Sequence, residues 1–400
     1  MQDRPILGYL SGPVDGREVY ARYLRNTGID YLGTSYMREF FEVCDRLDLP
    51  SVVVTSHEGD EYVHRQDRAV IANHPKPEGL SGLAYHFAMV RWTNRALAFL
   101  HEQGCTHVVL TDAQDYWFVI NQSPLRHAHI IPALHCALTE AFGDVRPIHR
   151  VLHQLNKRLF YRRFLLQLLS ASPLISRQLR EFSAPRAIEP ELFLPLYEEN
   201  DFERAFNSFP PVEGAPFTLL FAGRITENKG VFDLLKMVTI VQGERGIALR
   251  VHVAGAGPDF DRLRDAVMEQ GLERSVLLHG YCGKQQLLEL LGHAHAVVVP
   301  TRSDFVEGFA MICAEAILAG RPLITSKVCP ALELLRPASL EARVDDAASY
   351  AGHVAALATD PALLAEKRAA TRNLRHQFLD PANSYGAKLE KVLLQTGVGA

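Results

Sequence analysis

Long hydrophobic runs are missing from this chain. Its longest apolar stretches are of strand length, far below the ~20 residues that a membrane span needs. Paired cysteines are missing too. The six cysteines stand scattered at positions 44, 105, 136, 282, 313 and 329, with no C-x-x-C pair and no His/Cys spacing of the metal-binding kind. In a chain this long, that pattern favours a reducing compartment over a disulfide scaffold. An excess of charge of one sign is also lacking: 42 Lys and Arg against 46 Asp and Glu leave a net charge of −4, so the chain has no overall reason to seek nucleic acid. There is no repeat of fixed period and no low-complexity tract. The opening stretch MQDRPILGYLSGPVDG reaches glycines too early for a signal peptide. The expected location is therefore cytoplasmic.

What is present is a globular composition, 48% hydrophobic and 22% charged, in a chain of 400 residues. That length suggests two domains. Short apolar runs alternate with helix-period segments, the pattern of parallel sheets with crossover helices. In the first half, strands are expected at residues 5–10, 51–55, 107–111 and 130–134, with helices at 35–47 and 84–103. Residues 183–217 are rich in proline and poor in periodicity, which reads as a connection between domains. The alternation then restarts, with strands expected at 218–222, 250–254, 276–279, 296–300 and 322–325. Helices are expected at 231–242, 260–269, 284–291, 309–318 and 347–359. The boundaries that follow are residues 1–185 and 186–381. A last helical segment in 382–400 packs back across both domains, its tail from 395 frayed. Two open α/β domains place a ligand in the crevice at the carboxyl ends of their strands.

Two segments carry chemistry. In EGFAMICAE, Glu307 and Glu315 flank an expected helix start that follows the strand AVVVP. Were residue 309 onward helical, the two carboxylates would stand roughly 12 Å apart along the axis, about the separation of ribose and hexose in a sugar nucleotide. The helix N-terminus between them favours a diphosphate. In FAGRITENKG, a strand delivers Arg224 into a loop and Lys229 stands at the start of the next helix. Two cations at a strand's carboxyl end can neutralise a departing diphosphate, the main electrostatic demand of sugar transfer.

Together with LRVHVAGAGPDFDRL and SVLLHGYCGKQQLLELL, and in the same order, these segments resemble the retaining glycosyltransferases of family 4 over roughly residues 217–335. The resemblance implies a GT-B fold: two facing Rossmann-like domains with parallel sheets and a cleft between them. It implies that Arg224 and Lys229 bind the diphosphate, Glu315 the ribose and Glu307 the transferred sugar. Backbone around Gly308, Phe309, Ala310 and Met311 would also contact the donor, and backbone at Tyr281 and Cys282 would lie against the base. His135, closing HIIPAL, matches a histidine that family members place near the anomeric centre. The catalytic set implied is His135, Glu307, Arg224 and Lys229. Ala310 stands where many relatives have glycine.

The N-terminal half matches less closely. An apparent insertion, REVYARYLRNTGIDYL, follows the first glycines, and Gly33 and Thr34 open the next helix. They form the candidate acceptor or donor loop. Asp112, at a strand end, is a candidate acceptor contact. The basic stretch NKRLFYRR, from Asn156 to Arg163, suits a peripheral contact with the inner membrane face or a phosphorylated acceptor. The implied activity is retaining transfer of a hexose-type sugar from a nucleoside-diphosphate sugar, UDP before GDP, to an acceptor hydroxyl. No metal or other cofactor is expected. The alternatives are a GT-B epimerase or phosphorylase, and a GT-B protein that binds sugar nucleotide or glycan without turnover.

Overall fold

The computed structural model describes residues 4–27, 32–112, 114–138, 147–160, 165–186, 188–211 and 214–398. Near-continuous apolar runs such as SVVVT and AVVV are buried along their whole length, as strands covered by helices on both faces must be. They build two sheets. The first contains β1 (Leu7–Leu10), β2 (Ser51–Thr55), β3 (Tyr62–Gln66), β4 (Ala69–Asn73), β5 (His107–Leu110), β6 (His129–Leu134), β7 (Leu169–Ser170) and β8 (Glu191–Leu192). Their spatial order is β3-β4-β2-β1-β5-β6-β7-β8. Only the β3–β4 pair is antiparallel, and β3 is the half-exposed edge.

The second sheet contains β9 (Phe217–Ala222), β10 (Leu249–Ala254), β11 (Val276–Gly280), β12 (Ala296–Val299), β13 (Leu323–Ser326) and β14 (Ser339–Ala342), in the order β11-β10-β9-β12-β13-β14. All its pairings are parallel. Strand order reverses beside β1 in one sheet and beside β9 in the other. Those are the switch points where an open sheet leaves a crevice.

Helix starts follow their caps. The Ser35 hydroxyl accepts from the Arg38 amide at 3.1 Å to open helix Tyr36–Arg46. The Asp346 carboxylate does the same for helix Ala347–Thr359. Asp360 with Pro361 opens helix Pro361–Leu374, a pairing of cap and first-turn proline with an evident physical basis.

Several elements depart from expectation. The stretch read as an insertion contains helix Gly16–Leu24, capped by Asp15. β8 lies beyond residue 185 yet pairs with β7, the Glu191 amide donating to the Leu168 carbonyl at 2.8 Å. The donor-side helix begins at Met311 rather than 309, because Ala310 turns into the left-handed region with φ 61°. Glu307 therefore lies outside the helix, and the axial spacing argument does not apply to it. The C-terminal helix Tyr385–Leu394 enters the first domain's core alone rather than crossing both. The Gly386 amide donates to the buried Glu39 carboxylate at 2.7 Å. Its tail is not frayed as far as it is described: Val398 is buried in that core, and Thr396 bonds to His107. Residues 399–400 lie outside the described residues. No helix among the described residues is long and apolar enough to cross a membrane.

Candidate functional site

The carboxyl ends of β6, β9 and β12 meet at one cavity of about 420 Å³. From the first domain it receives Tyr36, His135 and Cys136. From the second it receives Lys229, Thr301, Glu307–Met311 in sequence, and Glu315.

Glu307 is the most tightly held of these groups. Its Oε2 accepts from Lys229 Nζ at 2.5 Å and from Thr301 Oγ1 at 3.1 Å, while Oε1 accepts from the Gly308 amide at 3.2 Å. The Lys229 ammonium also stands 4.1 Å from the centroid of the Phe305 ring. Lys229 reaches this position because Gly230, with φ 78°, ends its loop against Pro300. A Cβ at Gly230 would meet the Pro300 carbonyl oxygen at 2.1 Å. A cation and an anion expected to serve different parts of a donor are thus paired with one another in the cleft.

Glu315 sits one helical turn inside helix Met311–Leu318 and is buried. The Tyr197 hydroxyl donates to its Oε1 at 3.4 Å. Burial pushes its carboxyl up to about 7, against the smaller lowering effect of the Tyr197 hydrogen bond, because the charged form loses its water. Tyr197 belongs to the segment joining the domains. Its ring would meet a Cβ at Gly33 (φ 84°) at 3.0 Å, and the Thr34 amide donates to the Leu196 carbonyl at 2.9 Å. Gly33 and Thr34 therefore support the wall behind Glu315 and do not line the cavity.

His135 closes β6 with its ring stacked on Tyr36 at 4.2 Å between centroids and edge-on to Phe193. Both ring nitrogens are buried without a hydrogen-bond partner among the described residues. Burial pushes its pKa down to about 3, so the imidazole is neutral at any working pH. Phe309 turns its ring into the core against Phe378, which leaves its backbone to face the cavity.

Arg224 stands exposed beside a second recess of about 470 Å³ that also takes Gly255, Tyr281 and Cys282. The two recesses share Ala222, Gly223 and Leu287, so they are continuous. The Gly255 Cα can approach only because it lacks a Cβ, which would lie 1.8 Å from the Gly223 carbonyl oxygen.

Asp112 lies outside both recesses. It is held by Lys76 at 2.6 Å and by Ser56 at 2.9 Å. In the basic stretch, Asn156 points inward and accepts from the Phe118 amide, Lys157 lies over the Phe182 ring, and Arg158 is exposed. Residues 161–164 lie outside the described residues. The sequence reading missed Tyr36, Cys136, Tyr197 and Thr301. Thr301 had a signal, as the first polar residue after β12. Tyr197, in an irregular segment, had none.

Two facing domains with parallel sheets and a ligand-sized cleft between them define the GT-B architecture, and solved structures of that fold superpose on nearly the whole chain. A sucrose-phosphate synthase from Thermosynechococcus elongatus gives a TM-score of 0.72 at 16% identity, covering 99% of this chain and 100% of that one. Anabaena HepE, solved in complex with UDP and glucose, gives 0.64 at 14% identity over 99% of this chain and 100% of that one.

Residues 203–375 match the family model described as Glycosyl transferases group 1. That span contains the second sheet and every donor-side residue named above. An uncharacterized glycosyltransferase of Methanocaldococcus jannaschii is 31% identical over 148 residues, 37% of this chain and 36% of that protein. A D-inositol 3-phosphate glycosyltransferase of Arthrobacter is 29% identical over 202 residues, 48% of this chain and 46% of that protein. The chain thus spans less than half the length of these relatives.

Proposed function

We propose that this protein is a retaining glycosyltransferase that moves a hexose-type sugar from a nucleoside-diphosphate sugar, UDP before GDP, to an acceptor hydroxyl. The observation that carries the reading is the convergence of Lys229, Glu307 and Glu315 with His135 on a single interdomain cavity. The likeness to a structure holding UDP and glucose supports the choice of base.

In this reading Glu315 accepts from the ribose hydroxyls. The diphosphate lies at the N-terminus of helix Met311–Leu318, where backbone amides and the helix dipole favour negative charge. Lys229 and Arg224 stabilise the charge that builds on the diphosphate as the glycosidic bond breaks, so no divalent metal is needed. Glu307 accepts from the sugar's hydroxyls. Its oxygens are already engaged by Lys229, Thr301 and Gly308, which supports a positioning carboxylate over an attacking one. The acceptor hydroxyl then approaches from the side of the leaving group. The neutral His135 ring beside the sugar offers a nitrogen to a hydroxyl there. Gly308, Phe309, Ala310 and Met311 contribute backbone, and Cys282 lies at the base. Gly33, Thr34 and Asp112 act at one remove.

The test is incubation with a panel of sugar nucleotides in excess EDTA, followed by detection of free nucleotide and of acceptor products. Slow nucleotide release that an acceptor accelerates supports the reading. Interconversion of sugar nucleotides would replace it with an epimerase, and binding without turnover with a sugar-nucleotide-binding module.

A further inference from the structure

One buried tyrosine connects the two sides of the cleft. Tyr197 is 3% exposed and stands between β8 and helix Glu199–Asn207. It shares the second domain's core with Ile312, Cys313 and Ala316 of helix Met311–Leu318, and its hydroxyl donates to Glu315 on that helix. Its backbone amide donates to the Phe378 carbonyl at 3.0 Å, and the Leu194 amide donates to the Asn383 carbonyl at 2.8 Å. The two stretches of chain that cross between the domains are thus joined to each other, and Tyr197 is fixed at the seam.

The first domain reaches this tyrosine through one short segment. Leu32 is 1% exposed and packs into the second domain's core. Gly33 lies against the Tyr197 ring, and the Thr34 amide donates to the Leu196 carbonyl. Ser35 then caps the helix whose first residue is Tyr36, and the Tyr36 ring carries the His135 imidazole on its face, 25° from parallel. Five consecutive residues therefore run from the wall behind Glu315 to the imidazole at the cleft.

We infer that Tyr197 is a positioning residue for sugar transfer, holding the Tyr36–His135 stack in register with the carboxylate that takes the ribose. The inference rests on the transferase reading. Tyr197 does not line the cavity, so it acts through Glu315 on one side and His135 on the other. A ribose that draws the Glu315 carboxylate toward its hydroxyls alters the hold on the Tyr197 hydroxyl. The ring is packed against Gly33 without slack, and a close-packed interior passes such a shift on. Tyr36 moves with the segment and takes the imidazole with it. Occupancy of the ribose subsite in the second domain thereby sets the imidazole of the first.

The experiment compares the full chain with Tyr197→Phe, which keeps the ring and removes the hydroxyl. It is run well above pH 7, so that Glu315 is ionised in both. Isotope-labelled histidine gives ring signals for the 17 histidines, and those of His135 are the ones that vanish in His135→Gln. UDP, which has a ribose, displaces the His135 signals of the parent, whereas inorganic pyrophosphate, which has none, does not. In Tyr197→Phe, UDP still binds but moves His135 no more than pyrophosphate does. Turnover of the intact donor falls about tenfold, with its Michaelis constant little changed. Gly33→Ala, whose methyl would press on the same ring at 3.0 Å, displaces the His135 signals with no ligand present. The inference is overturned if UDP moves His135 equally in parent and Tyr197→Phe, if pyrophosphate moves it as far as UDP, or if Tyr197→Phe turns over like the parent. A parent that does not bind UDP would defeat the transferase reading itself, and this inference with it.

Discussion

The His135 carbonyl oxygen fills the space that a side chain at Gly308 would need. An ideal Cβ at Gly308 would lie 2.3 Å from that oxygen and 3.8 Å from the Cys136 sulfur. A backbone carbonyl at the end of β6 in one domain and a backbone turn in the other are thus in direct apposition across the cleft. Gly308→Ala cannot be accommodated by a rotamer change, because the obstacle is main chain. The domains must part by several tenths of an ångström or more. We expect turnover to fall by about tenfold to a hundredfold, since sub-ångström misplacement of reacting groups has effects of that size. Melting temperature should change little, because each domain keeps its own core. Steady-state kinetics with calorimetry checks both, and wild-type turnover would show that this approach has no catalytic consequence.

Removal of the two cations should separate their roles. Arg224 is exposed, so Arg224→Ala should lower turnover by ~10²–10³ and leave the melting temperature where it was. Lys229→Met should lower turnover as much and also destabilise the protein, by ~3 kcal/mol, since it strands the buried Glu307 carboxylate. Adding Glu307→Gln to Lys229→Met should restore most of that stability and none of the turnover. Thermal melts of the single and double variants, beside kinetics, decide this.

Glu315 provides a pH test. Its carboxyl ordinarily titrates near 4.5 and is raised by burial to about 7. A group that holds its proton more tightly when folded stabilises the fold fully at low pH and loses that contribution as pH rises through 7. Glu315→Gln should therefore raise stability above pH 7, by roughly 2 kcal/mol, and have little effect at pH 4. Nucleoside diphosphate binding should show the opposite trend in the parent, weakening as pH falls through 7 and the acceptor carboxylate protonates. Tyr197→Phe removes a hydrogen bond that lowers this pKa, so the binding midpoint should move upward. Isothermal titration across pH reads both effects, and an unmoved midpoint would leave Tyr197 as a packing residue only.

Ala310 occupies a conformation with φ 61° and ψ 84° at the start of the donor-side helix. Left-handed geometry costs a side-chain-bearing residue ~1–2 kcal/mol, and glycine adds ~0.4–1 kcal/mol of unfolded-state entropy. Ala310→Gly should be neutral or stabilising by up to about 1 kcal/mol, with activity retained. Chemical denaturation measures the difference.

The second domain was largely legible because its strands are continuous apolar runs between turn residues. β10, β12 and helix Phe260–Glu269 fall within a residue or two of expectation. β14 was missed because SLEA is short and carries a charge. β3 was missed because YVHRQ is an exposed edge with polar residues in most positions. Helix Pro361–Leu374 had the readable signal of Asp360-Pro361, and helix Gly16–Leu24 was masked by the glycines before it. At the cleft, the positions of Lys229, Glu307 and Glu315 were legible because charged residues just after apolar strands or at helix starts stand out in the sequence. The pairing of Lys229 with Glu307 was not, because 78 residues of chain separate them and only the meeting of the β9 and β12 ends brings them together. Nor was the aromatic bed of His135, drawn from Tyr36, Phe193 and Tyr385 at three remote points.

The C-terminal helix has a consequence for the order in which the protein forms. Tyr385, Leu389, Val392, Leu393 and Val398 complete a core whose other members lie at or before Phe193, so the second domain is topologically an insertion within the first. During synthesis the first domain emerges first and yet cannot close. Its groove beside helix Tyr36–Arg46 stays open until some two hundred further residues have been made, while the second domain already has its whole sheet. Assembly therefore finishes at the domain that started. The chain crosses between the domains twice, so cutting either crossing alone would leave the halves tethered by the other.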